Sequence, residues 1–161
     1  MQIASFIDND VQNSLNGMTV SMWVSGCPHR CEGCHNKELW DYSFGENYSL
    51  EELKEIASRL ITLDGITRNF SVLGGEPLDP SKVDELTELL KFIKSSYPDK
   101  KIYLWTGYKY KEVKKLECLK YVDVLIDGKF DINKRDLTLK LRGSLNQNIY
   151  IRKGKKLIKE K

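Results

Sequence analysis

Three cysteines lie within eight residues, in the order Cys27-x3-Cys31-x2-Cys34. Thiolates at this spacing in one loop can converge on a single metal centre. Gly26 and Gly33 allow the tight curvature that several ligands around one centre require. A structural zinc site takes four protein ligands, and this loop offers three thiolates. On a cubane iron–sulfur cluster, three cysteines would hold three irons and leave the fourth open to a small molecule.

The other candidate ligands are the fourth cysteine of the chain, Cys118, and the two histidines, His29 and His35. A single cysteine near the end of a predicted helix more often packs in the core than binds a metal. A histidine beside a ligand more often packs or forms a hydrogen bond. From the residues alone, a catalytic iron–sulfur site, a structural zinc module and a plain electron carrier all remain open.

The elements around the cysteines are predicted from periodicity and capping signals. A strand over residues 18–25, rich in β-branched and aromatic residues, leads directly into the cysteines. Ser49 and Glu52 form a capping-box pattern that opens an amphipathic helix. A short apolar strand at residues 70–73 then ends in Gly74-Gly75-Glu76-Pro77. Because glycine has no side chain, this turn can let the backbone approach a ligand closely.

The strand–turn–helix unit recurs along the chain. Asp79 is predicted to cap the next helix, with Pro80 in its first turn. The remaining predicted elements are a strand at 102–105, a weaker helix through Tyr110, Val113 and Leu116, a strand at 122–126, and two edge or antiparallel strands at 137–141 and 148–151.

Strands that alternate with helices predict one α/β domain with a mostly parallel sheet. In such sheets ligands bind at the carboxyl ends of the strands. The cysteine loop, the segment Gly74–Glu76, the pair Thr106-Gly107 and the pair Asp127-Gly128 all follow predicted strands. We therefore expect these four segments to surround one site.

The composition fits a single globular domain spanning residues 1–161. No apolar run is long enough to cross a bilayer, and the first residues lack the basic and apolar segments of a secretory signal. We therefore expect a cytoplasmic protein with no membrane partner, in which clustered thiols stay reduced and serve as metal ligands or redox groups.

Positive charge is concentrated at the C-terminus. Residues 152–161 contain six basic residues and one acidic residue, a net charge of +5, so residues 1–151 carry −2 of the total of +3. We predict a short, solvated basic tail from about residue 152. Since the body is nearly neutral, no nucleic-acid partner is expected.

The cysteine motif followed by Gly74-Gly75-Glu76-Pro77 resembles the radical S-adenosylmethionine enzymes. The resemblance implies a small, abbreviated partial (βα) barrel with the cluster loop at the carboxyl ends of the strands. It also implies a [4Fe-4S] cluster with three cysteine ligands and S-adenosyl-L-methionine bound at the open iron. The residues that it assigns to the metal are Cys27, Cys31 and Cys34.

The same resemblance implies the contacts of S-adenosylmethionine. Gly74, Gly75 and Glu76 would receive the methionine amino group through backbone and carboxylate. Many members carry an aromatic residue where this chain has Gly33. The resemblance therefore implies that His35 and the backbone from Gly33 to Cys34 contact the adenine. Thr106 and Asp127, at strand ends, are candidates for ribose or substrate contacts, and the alternative for both is a capped turn.

A narrower set of motifs resembles the activating component of the anaerobic, glycyl-radical ribonucleotide reductase. The matching segments, in family order, are 24–36, Trp40, 73–78, 105–108, 123–130 and 141–147. Lys129 departs from the pattern, which has proline there. The resemblance implies reductive cleavage of S-adenosylmethionine to a 5′-deoxyadenosyl radical, which removes hydrogen from a glycine α-carbon of the reductase.

The partners implied by this resemblance are the large catalytic subunit of the reductase and a low-potential electron donor such as flavodoxin or ferredoxin. An alternative is an activase of another glycyl-radical enzyme, of the formate-lyase type. Several such activases carry ferredoxin-like cysteine inserts, whereas this chain has only Cys118 outside the motif. A non-catalytic zinc or iron–sulfur binding module is the alternative from a different class.

Overall fold

Eight strands form a single sheet in the computed structural model, which describes residues 1–161. The strands are β1 (Gln2–Asp10), β2 (Thr19–Val24), β3 (Glu46–Asn47), β4 (Asn69–Gly74), β5 (Ile102–Trp105), β6 (Val124–Asp127), β7 (Asn148–Lys153) and β8 (Lys156–Lys159). Their order across the sheet is β3-β1-β2-β4-β5-β6-β7-β8. The helices are α1 (Leu50–Ile61), α2 (Val83–Ser96) and α3 (Tyr110–Val113), with short 3-10 turns between elements.

The sheet is parallel only at its centre. Strands β2, β4, β5 and β6 run parallel to one another, and the other four pairings are antiparallel. The prediction of an α/β fold is confirmed, and that of a mostly parallel sheet is wrong. Parallel neighbours need a long crossover, whereas β7 and β8 are joined by only residues 154 and 155 and must therefore be antiparallel.

The long helices cover one face of the sheet. The predicted capping box of α1 is present, with the Ser49 amide donating to Glu52 Oε2 at 2.7 Å and the Glu52 amide donating to Ser49 Oγ at 3.3 Å. Helix α1 buries Leu53, Ala57 and Ile61, which lie four residues apart on one stripe. They pack in the main core, whose strand members include Val20, Met22, Val24, Phe70, Val72, Ile102 and Leu104.

The opposite face carries a smaller apolar cluster of Tyr103, Val124, Ile126 and Ile149. Leu15 packs against this cluster, and its backbone amide donates to the Tyr103 hydroxyl at 3.2 Å. Loops rather than helices cover this face. The carboxyl ends of the central strands therefore stay accessible to a ligand.

Three predicted elements differ from the structure. Helix α2 begins at Val83 rather than beside Asp79, because the Asp79 carboxylate accepts hydrogen bonds from Ser81 and Tyr42 instead of capping a helix. The predicted weak helix shortens to α3, followed by a 3-10 turn over Glu117–Lys120. Residues 137–141 form no strand, because the Asp136 side chain accepts from the Thr138 amide and bends the chain.

The strand predicted at residues 148–151 is the first part of β7 and pairs antiparallel with β6, whereas β1 and β8 were not predicted. Residues 152–159, expected as part of a solvated tail, complete β7 and form β8, and Leu157 is buried. In β1, the register against β2 shifts between Ile3 and Ser5 and again between Ile7 and Asp10. These irregularities break the period-two pattern that marks a strand in sequence. None of the helices is long and apolar enough to span a membrane.

Candidate functional site

One cavity of about 350 Å³ lies at the carboxyl ends of the central strands. The predicted site residues that line it are Cys27, Cys31, Cys34, His35, Gly74, Gly75 and Thr106. The predicted site residues that do not line it are Gly33, Glu76 and Asp127. The structure thus brings the cysteine loop and the glycine-rich turn to one cavity, as the order of strands and loops predicted.

The glycine-rich turn lies directly beside the start of the cysteine loop. Strands β2 and β4 run parallel with Val24 opposite Gly74. Beyond the strands, the Gly75 amide donates to the Val24 carbonyl at 2.7 Å, and the Glu76 amide donates to the Gly26 carbonyl at 2.9 Å. The two segments therefore continue to pair after the sheet ends, which fixes the position of the first cysteine relative to Gly74 and Gly75.

Gly75 has no room for a side chain. A Cβ at this position would lie 2.6 Å from the Gly26 carbonyl oxygen and 3.0 Å from its carbon, and these are backbone atoms. We expect Gly75→Ala to displace the cysteine loop and to lower the free energy of unfolding by about 2–3 kcal/mol. Urea denaturation measures this loss.

The matched control for this prediction is Gly154→Ala. Its Cβ meets nothing within 4 Å, and only the left-handed φ of +60° opposes it. A loss of about 1 kcal/mol is expected there. Equal losses in the two variants would contradict the close approach at Gly75.

Four donors converge on the carboxylate of Glu76, which is 0% exposed. On Oε2, His29 Nε2 and the Gly107 amide each lie at 2.7 Å. On Oε1, the Thr106 hydroxyl donates at 2.7 Å and the Leu78 amide at 2.9 Å. Glu76 therefore ties the cysteine loop, through His29, to the end of β5.

A buried lysine lies where the cysteine loop meets the glycine-rich turn. Lys82 is only 6% exposed, and its Nζ donates to the Gly26 carbonyl at 2.9 Å and to the Glu76 carbonyl at 3.0 Å. Burial lowers the pKa of the Lys82 ammonium, and the charges of Asp79, Glu76 and Cys27 oppose that shift. The ammonium binds the two carbonyls together, so Lys82 stabilises the contact between the cysteine loop and the glycine-rich turn.

Backbone amides surround the three cysteine sulfurs. Burial raises the pKa of the Cys27 thiol, and hydrogen bonds from the His29 and Arg30 amides oppose this shift. Burial likewise raises the pKa of the Cys31 thiol, opposed by the Phe130 amide. The Asn36 amide lies 3.4 Å from Cys34 Sγ. Such N–H···S bonds stabilise thiolates and tune the metal centre that they hold.

The donor set fits an iron–sulfur cluster. No group of three or more His, Cys, Asp or Glu side chains is arranged around a single ion position. The three cysteines instead lie around the wall of one cavity, and the ligands of a cluster bind different irons and therefore stand farther apart than the ligands of one ion. The loop thus supplies three soft thiolate donors to one cavity, which is the donor chemistry that an iron–sulfur cluster takes.

Of the other candidate ligands, His29 and Cys118 are engaged elsewhere, and His35 lines the cavity. His29 Nε2 is paired with Glu76, and the His35 side chain is exposed, with its ring centroid 5.9 Å from that of Phe130. Cys118 is fully buried in the main core, where burial raises the pKa of its thiol to about 11. The expectation that Cys118 packs in the core is confirmed.

Asp127 and Thr106 both make contacts within the protein. The Asp127 carboxylate accepts from the Tyr110 amide at 2.7 Å and from Asn148 Nδ2 at 2.8 Å, which joins the start of α3 to β7. The Thr106 hydroxyl donates to Glu76 and accepts from the Tyr108 amide at 3.2 Å. Of the two residues, only Thr106 also lines the cavity.

Comparison with known proteins identifies the family. Residues 15–150 match a family described as a 4Fe-4S single cluster domain. A protein of Enterobacteria phage T4 is 43% identical over 137 residues, covering 83% of this chain and 84% of the relative. A protein of Pasteurella multocida is 37% identical over 158 residues, 93% of this chain and 97% of the relative. Both are named anaerobic ribonucleoside-triphosphate reductase-activating protein. The chain belongs to this family.

Another member of the activating-protein family, from Escherichia coli (strain K12), is 34% identical over 136 residues, 83% of this chain and 88% of its own length. The reductase-activating family indicated by the motif segments between residues 24 and 147 is therefore confirmed, and a 4Fe-4S domain is present. The chain spans most of the length of each of these activating proteins.

Several cavity residues of this family member were not predicted from sequence. They are Asn13, Trp23, Trp105, Phe130, Leu141 and Gln147. Trp23 had a usable signal, because it alternates in β2 with Met22 and Val24, which face the helices. The role of Lys82 had no such signal, because a lysine at the start of a helix is ordinarily solvated.

Proposed function

We propose that the chain activates anaerobic ribonucleotide reductase by generating a glycyl radical on it, through reductive cleavage of S-adenosylmethionine at a [4Fe-4S] cluster. The names of its relatives support the reductase as the partner. The observation that carries the proposal is that three cysteines and the Gly74-Gly75 turn line the same cavity. One small cavity can then hold both a cluster and the molecule bound to its open iron.

In this proposal Cys27, Cys31 and Cys34 hold the cluster. When bound, the reduced cluster and S-adenosylmethionine supply the one-electron chemistry that produces a 5′-deoxyadenosyl radical able to take hydrogen from glycine. The Asn36 amide donates to Cys34 Sγ at 3.4 Å, and the amides of His29, Arg30 and Phe130 oppose the rise in pKa that burial causes at the Cys27 and Cys31 thiols. The apolar cavity residues Trp23, Leu73, Trp105 and Phe130 exclude water from the radical.

Gly74 and Gly75 bind the amino group of the methionine moiety through bare backbone at the cavity wall. Glu76 positions this turn without contacting the ligand. Its buried carboxylate already accepts hydrogen bonds from His29, Thr106, Gly107 and Leu78. The Thr106 hydroxyl would contact the ribose, and His35 with the Cys34 backbone would contact the adenine, whereas Gly33 does not line the cavity. Asp127 serves the site by positioning α3 and β7.

The fold in this proposal is one radical S-adenosylmethionine domain over residues 1–161, an abbreviated partial (βα) barrel. Support comes from the four parallel central strands, whose carboxyl ends carry the site, and from the helices on a single face. A low-potential donor such as flavodoxin or ferredoxin delivers the electron. The protein acts in the cytoplasm, where its thiols stay reduced.

Anaerobic reconstitution with iron and sulfide tests the proposal. The reconstituted protein, given S-adenosylmethionine and a strong reductant, is expected to release methionine and 5′-deoxyadenosine and to switch on nucleotide reduction by the reductase. Tight zinc binding without iron uptake would point to a structural module instead. Activation of a formate-lyase-type enzyme in preference to the reductase would contradict the proposed partner.

A further inference from the structure

A short irregular hairpin, residues 131–147, projects from the cavity; we name it the mouth hairpin. Its two arms are joined by an isolated β-bridge between Arg135 and Ser144. The Asp136 amide donates to the Gly143 carbonyl at 3.1 Å, and the Leu145 amide donates to the Lys134 carbonyl at 2.8 Å. The segment is therefore an ordered structure rather than a loose connection between β6 and β7.

The second arm of the mouth hairpin belongs to the cavity wall. Leu141, Gly143 and Gln147 line the cavity, and the Leu141 carbonyl accepts from Trp105 Nε1 at 2.7 Å. Leu141 has a left-handed φ of +60°, which is unfavourable for a residue with a branched side chain. Backbone strain of this kind persists where the surrounding structure holds it, and it occurs often at ligand sites. A molecule that contacts the hairpin is thus next to the cavity.

Two leucines of the mouth hairpin face solvent. Leu137 is 79% exposed and Leu145 is 60% exposed, so neither contributes much to the core. Leu145 also belongs to the segment 141–147, one of the motifs that carry the resemblance to reductase-activating proteins, yet nothing in the cavity uses its side chain. Two exposed apolar side chains on one ordered segment beside the cavity are available for contact with another protein.

The charge around these leucines is positive. Residues 129–142 contain five basic and two acidic residues, a net charge of +3. Both acidic side chains are engaged locally, Asp131 with the Asn133 amide and Asp136 with the Thr138 amide and hydroxyl. Arg135 and Lys140 form no ion pair and are exposed. A partner surface that carries carboxylates would complement this charge.

We propose that the mouth hairpin is the docking surface for the reductase, with Leu137 and Leu145 as apolar contacts and Arg135 and Lys140 as partners for carboxylates. The inference rests on the proposed function, because it assigns the surface that presents the reacting glycine to the cavity. The reductase surface that it fits carries carboxylates and apolar side chains. The hairpin places that surface over the cavity because its own second arm forms part of the cavity wall.

The test is the double variant Leu137→Asp/Leu145→Asp, assayed with purified reductase. We expect the KM for reductase in glycyl-radical formation to rise at least about 10-fold. Methionine release from S-adenosylmethionine with a chemical reductant and no reductase should stay within about twofold of the unsubstituted protein, because no cluster ligand changes. If the unsubstituted protein releases no methionine, the proposed function fails instead, so the two failures are distinguishable.

The matched control is Ile66→Asp/Ile158→Asp, which places the same charges at positions 48% and 46% exposed that do not line the cavity. It should leave the KM for reductase unchanged. As a second variant, Arg135→Glu/Lys140→Glu should raise the KM and weaken its dependence on salt.

Three results would overturn the proposal. The first is an unchanged KM for reductase in both hairpin variants. The second is loss of methionine release together with radical formation, because the hairpin would then serve only the cavity. The third is loss of self-association with an unchanged KM, which would make the hairpin a contact between copies of this chain.

Discussion

Replacing Cys27, Cys31 or Cys34 with alanine is expected to abolish iron–sulfur cluster binding and cleavage of S-adenosylmethionine. With only two thiolates left in the loop, a cluster would expose two irons and lose the ligand set that excludes solvent. The iron content after anaerobic reconstitution should fall from about four irons per chain to nearly none. Methionine release should fall with it.

Cys118→Ala is the matched control. Cys118 lies in the main core, away from the cavity, so its replacement should cost about 1–2 kcal/mol of folding stability and leave iron content and methionine release intact. Full activity in any one of the three loop variants would contradict the assignment of all three cysteines as cluster ligands. Loss of iron in Cys118→Ala alone would show that the ligand set had been wrongly assigned.

Glu76→Ala is expected to disrupt the contact between the cysteine loop and the end of β5. The substitution leaves His29, Thr106, Gly107 and Leu78 without their acceptor in a buried position. Leaving these buried donors without an acceptor should lower the free energy of unfolding by about 3–5 kcal/mol. Urea denaturation of the apoprotein measures this effect without any contribution from the cluster.

Glu76→Gln separates the effect of the carboxylate charge on stability from the effect of the side-chain shape. The amide keeps the size of the side chain, but its NH2 group must face at least one of the existing donors, so an intermediate loss of about 1–3 kcal/mol is expected. A Glu76→Ala protein as stable as the unsubstituted one would contradict the role of the carboxylate as the link between the cysteine loop and the end of β5. A glutamine variant less stable than the alanine variant would contradict it as well.

The sequence predicted the elements that hold the site, because each has a strong local signal. The capping box of α1 and the apolar strands β2, β4 and β5 depend on neighbouring residues only. Since these strands are parallel, the loops at their carboxyl ends had to meet. The meeting of the cysteine loop with Gly74 and Gly75 was therefore predictable.

Other features depend on distant contacts and had no local signal. Glu76 was expected to contact a ligand, yet in the fold its carboxylate accepts from His29 of the cysteine loop, 47 residues away in sequence. The burial of Lys82, the residue before α2, depends on the Gly26 carbonyl, which accepts from its ammonium and lies 56 residues away in sequence. Strand β1 was obscured by its irregular register, and β8 by the two lysines among its four residues. Such features follow from tertiary packing rather than from propensity.

Electron paramagnetic resonance of the reductase detects directly whether this chain generates a glycyl radical on it. The reductase is incubated anaerobically with the reconstituted chain, S-adenosylmethionine and a reductant, and its spectrum is then recorded. We predict a glycyl-radical signal on the reductase that requires every component and is lost with Cys31→Ala. If methionine is released but a reductase shown to be competent carries no glycyl radical, the chain does not activate the reductase in the proposed way.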